Sequence, residues 1–162
     1  MKIIIKILSL SLIISMNGII SIFAEEKEVM SVLKEEVKSI QVVNITDEEF
    51  DLLSKLIAGE ARGESYEGQL AVAAVVINRV KDDRFPNSVE DVIYQTNAFS
   101  VVKNGKIDID ETDLSFKAAQ EALYGKDPTD EAIYFWNPKI ATCKWIKKLD
   151  PYLTIGNHVF AK

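Results

Sequence analysis

Between residues 46 and 62 the apolar positions keep to one side of a helix. With Phe50 set at zero and about 100° per residue, Leu52 stands at about 200°, Leu56 at about 240°, Leu53 at about 300° and Ile57 at about 340°. Asp51, Lys55, Ala58 and Arg62 take the opposite, solvent side. Thr46-Asp47-Glu48-Glu49 has the form of a capping box that opens this helix, and Gly63 marks its end. Glu60 falls at about 280°, between two leucines and inside the apolar stripe.

The next segment, YEGQLAVAAVVINRV, is apolar on every side from Leu70 to Ile77, which predicts a helix buried all round. Its alanines allow close approach of neighbouring elements. Phe85-Pro86-Asn87 predicts a turn, and Ser88 with Asp91 caps a short helix to about Gln95. Two β-prone stretches flank Asn104-Gly105 in FSVVKNGKIDI, a hairpin pattern. DIDETDLSFKAAQEALYG predicts a helix with acids at its start and Gly125 past its end. AIYFW, ahead of Asn137-Pro138, predicts a strand, and YLTI and HVFA, separated at Gly156-Asn157, supply one or two more. The expected fold is mainly α, of the α+β class, with helices around a central buried helix and a small antiparallel sheet at one side.

Residues 1–24 carry Lys2 and Lys6 ahead of a long apolar run and contain no acid, the pattern of a secretory signal peptide. The apolar stretch also approaches bilayer-spanning length, so a retained anchor is the alternative. Either way the rest of the chain is expected to work outside the cytoplasm. Residues 25–45 are charged, with Val29, Leu33, Val37 and Ile40 at helical spacing, and are expected to form a linker or a short docking helix. The expected domain is 46–162.

Composition narrows the chemistry. The chain has 162 residues, 48% of them hydrophobic, enough for one domain with its own core. Removing the leader takes away two lysines and no acids, which moves the formal charge from −6 to −8. An acidic domain without a basic patch is a poor candidate for nucleic-acid binding. Cys143 is the only cysteine, so no intramolecular disulfide is available, and it is expected to be a small buried apolar residue rather than a nucleophile. His158 is the only histidine, which excludes zinc sites built on several His or Cys ligands. An EF-hand register from Asp108 would put Asp113 at the glycine position and Ala119 at the final acid, so no calcium loop is expected. No metal and no cofactor is expected.

Carboxylate chemistry remains. An ionised carboxylate on an apolar face costs several kcal/mol unless it is paired or reaches a wet cleft. Desolvation favours the protonated form, which suits an acid that must hand a proton to a leaving group. The competing explanation for Glu60 is a buried acid satisfied by backbone N–H groups of the next helix, or by an arginine such as Arg79. Tyr94, Phe99, Tyr134, Phe135, Trp136 and Trp145 could offer faces for sugar rings or could simply fill the core.

GEARGE (59–64), GQLAVAAVVINRV (68–80), FPNSVEDVIYQ (85–95), Phe99-Ser100, YFWNP (134–138), A-T-x-x-W (141–145) and IGNHVFA (155–161) together resemble the catalytic domain of the SleB/CwlJ-type cell-wall hydrolases, the spore cortex-lytic enzymes. The resemblance runs from about residue 48 to the C-terminus with all blocks in order. It implies a lysozyme-like helical fold and an enzyme that cuts peptidoglycan glycan strands between N-acetylmuramic acid and N-acetylglucosamine. It further implies that Glu60, in the GEA block, is the catalytic acid and base of a lytic transglycosylase. In that reaction one glutamate suffices, unlike the paired acids of most glycosidases. Gln95, Ser100, Asn137, Trp145 and His158 lie in matching blocks and are implied to line the substrate. Glu64 is expected to serve as a structural acid at the start of the next helix, with a place in the same cleft as the alternative. The chain is expected to act as a monomer on glycan strands. A hydrolytic muramidase or glucosaminidase, and a non-catalytic peptidoglycan-binding or spore-coat protein, are the alternatives.

Overall fold

The computed structural model describes residues 41–162. The expected leader, and residues 25–40 of the expected linker, lie outside the described residues. Helix α1 (Asp47–Glu60) opens on the capping box: the Thr46 hydroxyl accepts from the Glu49 N–H at 3.1 Å, and the Glu49 carboxylate accepts from the Thr46 N–H at 3.0 Å. Leu53, Leu56 and Ile57 of α1 are fully buried. Removing each of these side chains from water contributes about 1.5–3 kcal/mol.

Helix α2 (Tyr66–Lys81) is buried without a break from Gly68 to Arg79, as its apolar surround predicts. Short α3 (Val89–Ile93) and α4 (Asp113–Leu123) complete the helical layer. One side of α2, with Leu70, Val72, Ala73, Val76 and Ile77, joins the main core shared by the helices. Its other side, through Ala71 and Val75, meets Ala132, Ile155 and Phe160 beneath the sheet. The sheet is antiparallel in the order β1 (Tyr134–Trp136), β3 (His158–Ala161), β2 (Leu153–Ile155). Phe160 is fully buried at the centre of that second cluster. The central helix therefore works as a shared wall, with helices on one side and strands on the other.

Three expectations need correction. The helix capped by Ser88 stops at Ile93 rather than near Gln95. Asn104 and Gly105 do turn the chain, with φ of 52° and 69°, but only the pair Lys103 and Lys106 bridges across them and no strands form. Val101, Val102 and Ile107 lean on the core instead, and two consecutive inward residues are incompatible with the alternation a strand needs. Cys143 is exposed, not buried, because residues 137–145 run as an irregular segment outside both clusters of the core.

Candidate active site

Glu60 is the last residue of α1, partly buried at the edge of the leucine stripe. Its Oε1 accepts from the backbone N–H of Val101 at 2.9 Å and from the Ser100 hydroxyl at 3.1 Å. Among the described residues no lysine or arginine lies within ion-pair distance of it. Arg79 is not its partner, and the backbone donor comes from the segment after α3 rather than from the next helix. Both described bonds converge on Oε1, so when the carboxyl is protonated its proton belongs on Oε2. Oε2 accepts no hydrogen bond from the described residues.

The segment 100–109 can cross the end of α1 because residue 59 has no side chain. A Cβ on Gly59 would stand 2.7 Å from Val101 Cγ1 and 2.6 Å from Ile109 Cδ1. The glycine of the GEA block is thus a requirement of the close approach that brings Val101 to Glu60.

The same segment continues backwards into a cleft of about 470 Å³ whose walls include Gln95, Ala98, Tyr134, Phe135 and Trp145. Trp145 is 54% exposed and meets Tyr134 edge-on, with ring centroids 5.6 Å apart. An exposed tryptophan held by a second ring is a good surface for a sugar face. The cleft also touches Arg79, which is 7% exposed, donates from Nε to the Ile133 carbonyl at 2.7 Å, and lies over the rings of Phe85, Phe99 and Tyr134. Burial pushes its guanidinium down to about 10, against the opposing pull of Tyr134 and Glu60.

On the other side, Glu64 braces the turn between β2 and β3. Its carboxylate accepts from the Asn157 N–H at 3.1 Å and from the Asn157 side-chain amide at 2.9 Å. Gly156 has φ of +60°, and a Cβ there would run into Glu64 Oε2, so the turn needs glycine for conformation and for space. Glu64 is accordingly structural, but its partner is the β-turn and not the start of α2. Burial works to raise its carboxyl, yet the bonds from Asn157 and the nearby charges of His158 and Lys139 outweigh it and hold the group below its ordinary value. A depressed folded value means stability that is present above the unfolded value and lost as pH falls through the folded one. Replacing Glu64 with Gln is expected to cost about 1 kcal/mol at neutral pH, a figure reduced for its partial exposure. The gap should close in acid. Thermal melts across that range check it, and equal stability at neutral pH would show that the brace contributes nothing.

His158 is buried edge-on against Phe135, with ring centroids 5.2 Å apart. Burial pushes its imidazole below the ordinary value, opposed by the carboxylates of Glu64 and Glu60. Its Nδ1 is buried and has no hydrogen-bond partner among the described residues. Asn137 behaves differently from the rest of the expected set: its side-chain oxygen accepts from the Lys139 N–H at 3.0 Å, which builds a turn. The structure therefore brings Ser100 onto Glu60, puts Gln95 and Trp145 on the cleft, and leaves Asn137 shaping the loop. Sequence reasoning did not anticipate Val101, whose backbone N–H leaves no side-chain signature, or Asn157, whose partner lies 93 residues away in the chain.

The family described as Cell Wall Hydrolase matches residues 63–161, beginning just after Glu60. A spore cortex-lytic enzyme of Bacillus cereus is 43% identical over 114 residues, 70% of this chain and 44% of the relative. The spore cortex-lytic enzyme of Bacillus subtilis is 43% identical over 111 residues, 68% of this chain and 36% of the relative. The chain thus spans less than half the length of these curated relatives. Among solved structures, the catalytic domain of the germination-specific lytic transglycosylase SleB from Bacillus anthracis is 41% identical with a TM-score of 0.69, covering 73% of this chain and 97% of that one. The catalytic domain of Bacillus cereus SleB is 42% identical with a TM-score of 0.67, covering 72% and 91%. With the ordered blocks, the helical wall and the sheet all in agreement, the chain belongs to the Cell Wall Hydrolase family, in the company of the SleB-type cortex-lytic enzymes.

Proposed function

We propose that this chain is a peptidoglycan-cleaving enzyme that acts outside the cytoplasm as a lytic transglycosylase, with Glu60 as its single acid and base. The observation that carries the reading is the half-satisfied carboxyl of Glu60, anchored through Oε1 to Val101 and Ser100, a segment that begins two residues after Ala98 in the wall of the aromatic cleft. Glu60 Oε2 gives its proton to the oxygen that links C1 of N-acetylmuramic acid to the neighbouring N-acetylglucosamine, and the C1–O bond breaks. The carboxylate left behind takes the proton from the muramic 6-hydroxyl, whose oxygen bonds to C1 and closes an anhydro ring. Charge and atoms balance without water. Glu64, the nearest acid along the chain, is occupied by Asn157, which supports a route that needs one free carboxyl. The solved relative named as a lytic transglycosylase supports the same route.

Within this reading Trp145, Tyr134 and Gln95 hold the strand, Ser100 and Val101 aim the carboxyl, and His158 forms the wall behind it. Purified protein incubated with peptidoglycan should release fragments ending in anhydromuramic acid, each one water lighter by mass spectrometry than a reducing end. Fragments with only reducing ends would replace the assignment with a hydrolase.

A further inference from the structure

Between Asn137 and Leu149 the chain carries Lys139, Lys144, Lys147 and Lys148 and no acid, in a protein whose formal charge is −6. All four lysines are exposed, and among the described residues none stands within ion-pair distance of a carboxylate. Like charges repel one another, and of the four Lys139 has a described carboxylate, that of Glu64, near enough to feel its charge. The same segment supplies Cys143, Trp145 and Ile146 to the cleft wall. Lys139 lies toward the opposite flank, close enough for its charge to act on Glu64. At the cleft itself Arg79 adds a buried cation, also without a carboxylate within ion-pair distance among the described residues. The lysines themselves do not line the cleft, but they sit in the chain segment that supplies part of its wall.

We propose that this lysine strip is a docking rail for the free carboxylates of the peptides that hang from the glycan strand, while Trp145 and Tyr134 receive the sugar. The proposal rests on the peptidoglycan reading above and deepens it: the preferred substrate is peptide-bearing, anionic glycan rather than bare sugar. A neutral oligosaccharide would meet the aromatic rings but not the rail. Exposed lysines act through screened attraction, so the contribution should fade with added salt over a Debye length of about 10 Å at 0.1 M.

Binding is measured in the Glu60→Gln background, so that cleavage does not intrude, by sedimentation with peptidoglycan stripped of phosphate polymers. Replacing Lys139, Lys144, Lys147 and Lys148 together with Gln should weaken binding at low salt by about tenfold, the sum of several modest surface pairs. Replacing the same four with Arg should preserve it, which separates charge from misfolding. Replacing Lys55, Lys81, Lys117 and Lys126, which lie on α1, α2 and α4 or just past the end of α4, outside the lysine-bearing segment of the cleft wall, should leave it within about twofold although the net charge changes equally. Peptidoglycan whose carboxylates have been amidated should bind the parent and the Gln variant alike. Undiminished binding by the Gln variant, an equal loss in the distant set, or full binding to amidated material with the variant still weaker would each overturn the rail. A parent protein that fails to sediment with any peptidoglycan would overturn the rail and the function beneath it.

Discussion

Replacing Glu60 with Gln is expected to reduce release of peptidoglycan fragments by about 10²-fold to 10⁴-fold, the range for removing a positioned proton donor and acceptor. The amide keeps an oxygen for the Val101 N–H and the Ser100 hydroxyl, so the fold and the binding of glycan should survive. What disappears is the transferable proton on the second atom of the group. Fragment release measured beside a binding assay separates the two effects. A variant that cuts as fast as wild type would remove Glu60 from the chemistry. A wild type that binds peptidoglycan and never cuts it would favour a binding or coat protein instead.

Replacing Gly59 with Ala is expected to destabilise the protein by up to about 2 kcal/mol and to lower activity further than stability alone explains. Two terms compete. Alanine in a helix is worth up to about 1 kcal/mol over glycine, which favours the substitution. Against it, the new methyl group would meet Ile109 Cδ1 and Val101 Cγ1, and overpacking of this kind costs about 1–3 kcal/mol. Ile109 can swing the end of its side chain aside. Val101 cannot, because its branch sits at Cβ, and the hypothetical atom also lies 3.2 Å from that Cβ. The backbone of Val101 must move, and with it the N–H that fixes Glu60 Oε1. A displacement of about 1 Å at a reacting group is enough to cost about 10²-fold in rate. Thermal melts with fragment release on the same sample test this. Wild-type activity at reduced stability would show that the Val101 bond does not position the acid.

Helical elements were the most legible because their signals are local. The capping box at Thr46, the apolar surround of α2, and the cap at Ser88 each follow from residues within one or two turns. The Asn104-Gly105 turn is equally local, and it formed. The strands expected around it did not, since their fate depends on whether a distant core takes up Val101 and Val102. Cys143 fails for the same reason: an apolar residue type predicts burial only where the chain returns to the core, and residues 137–148 do not.

The candidate site divides along the same line. By itself the sequence determined that Glu60 would stand among leucines, because helical periodicity places a side chain once the helix is granted. It also determined, through ordered blocks, the family to which the chain belongs. Only the tertiary structure decided that Oε1 is held by Val101 and Ser100, that Glu64 serves Asn157, and that the lysine-bearing segment borders the cleft. These pairs lie roughly forty to more than ninety residues apart in the chain. No local preference encodes such a meeting. It follows from the one packing of α1, α2 and the sheet that buries their apolar faces together.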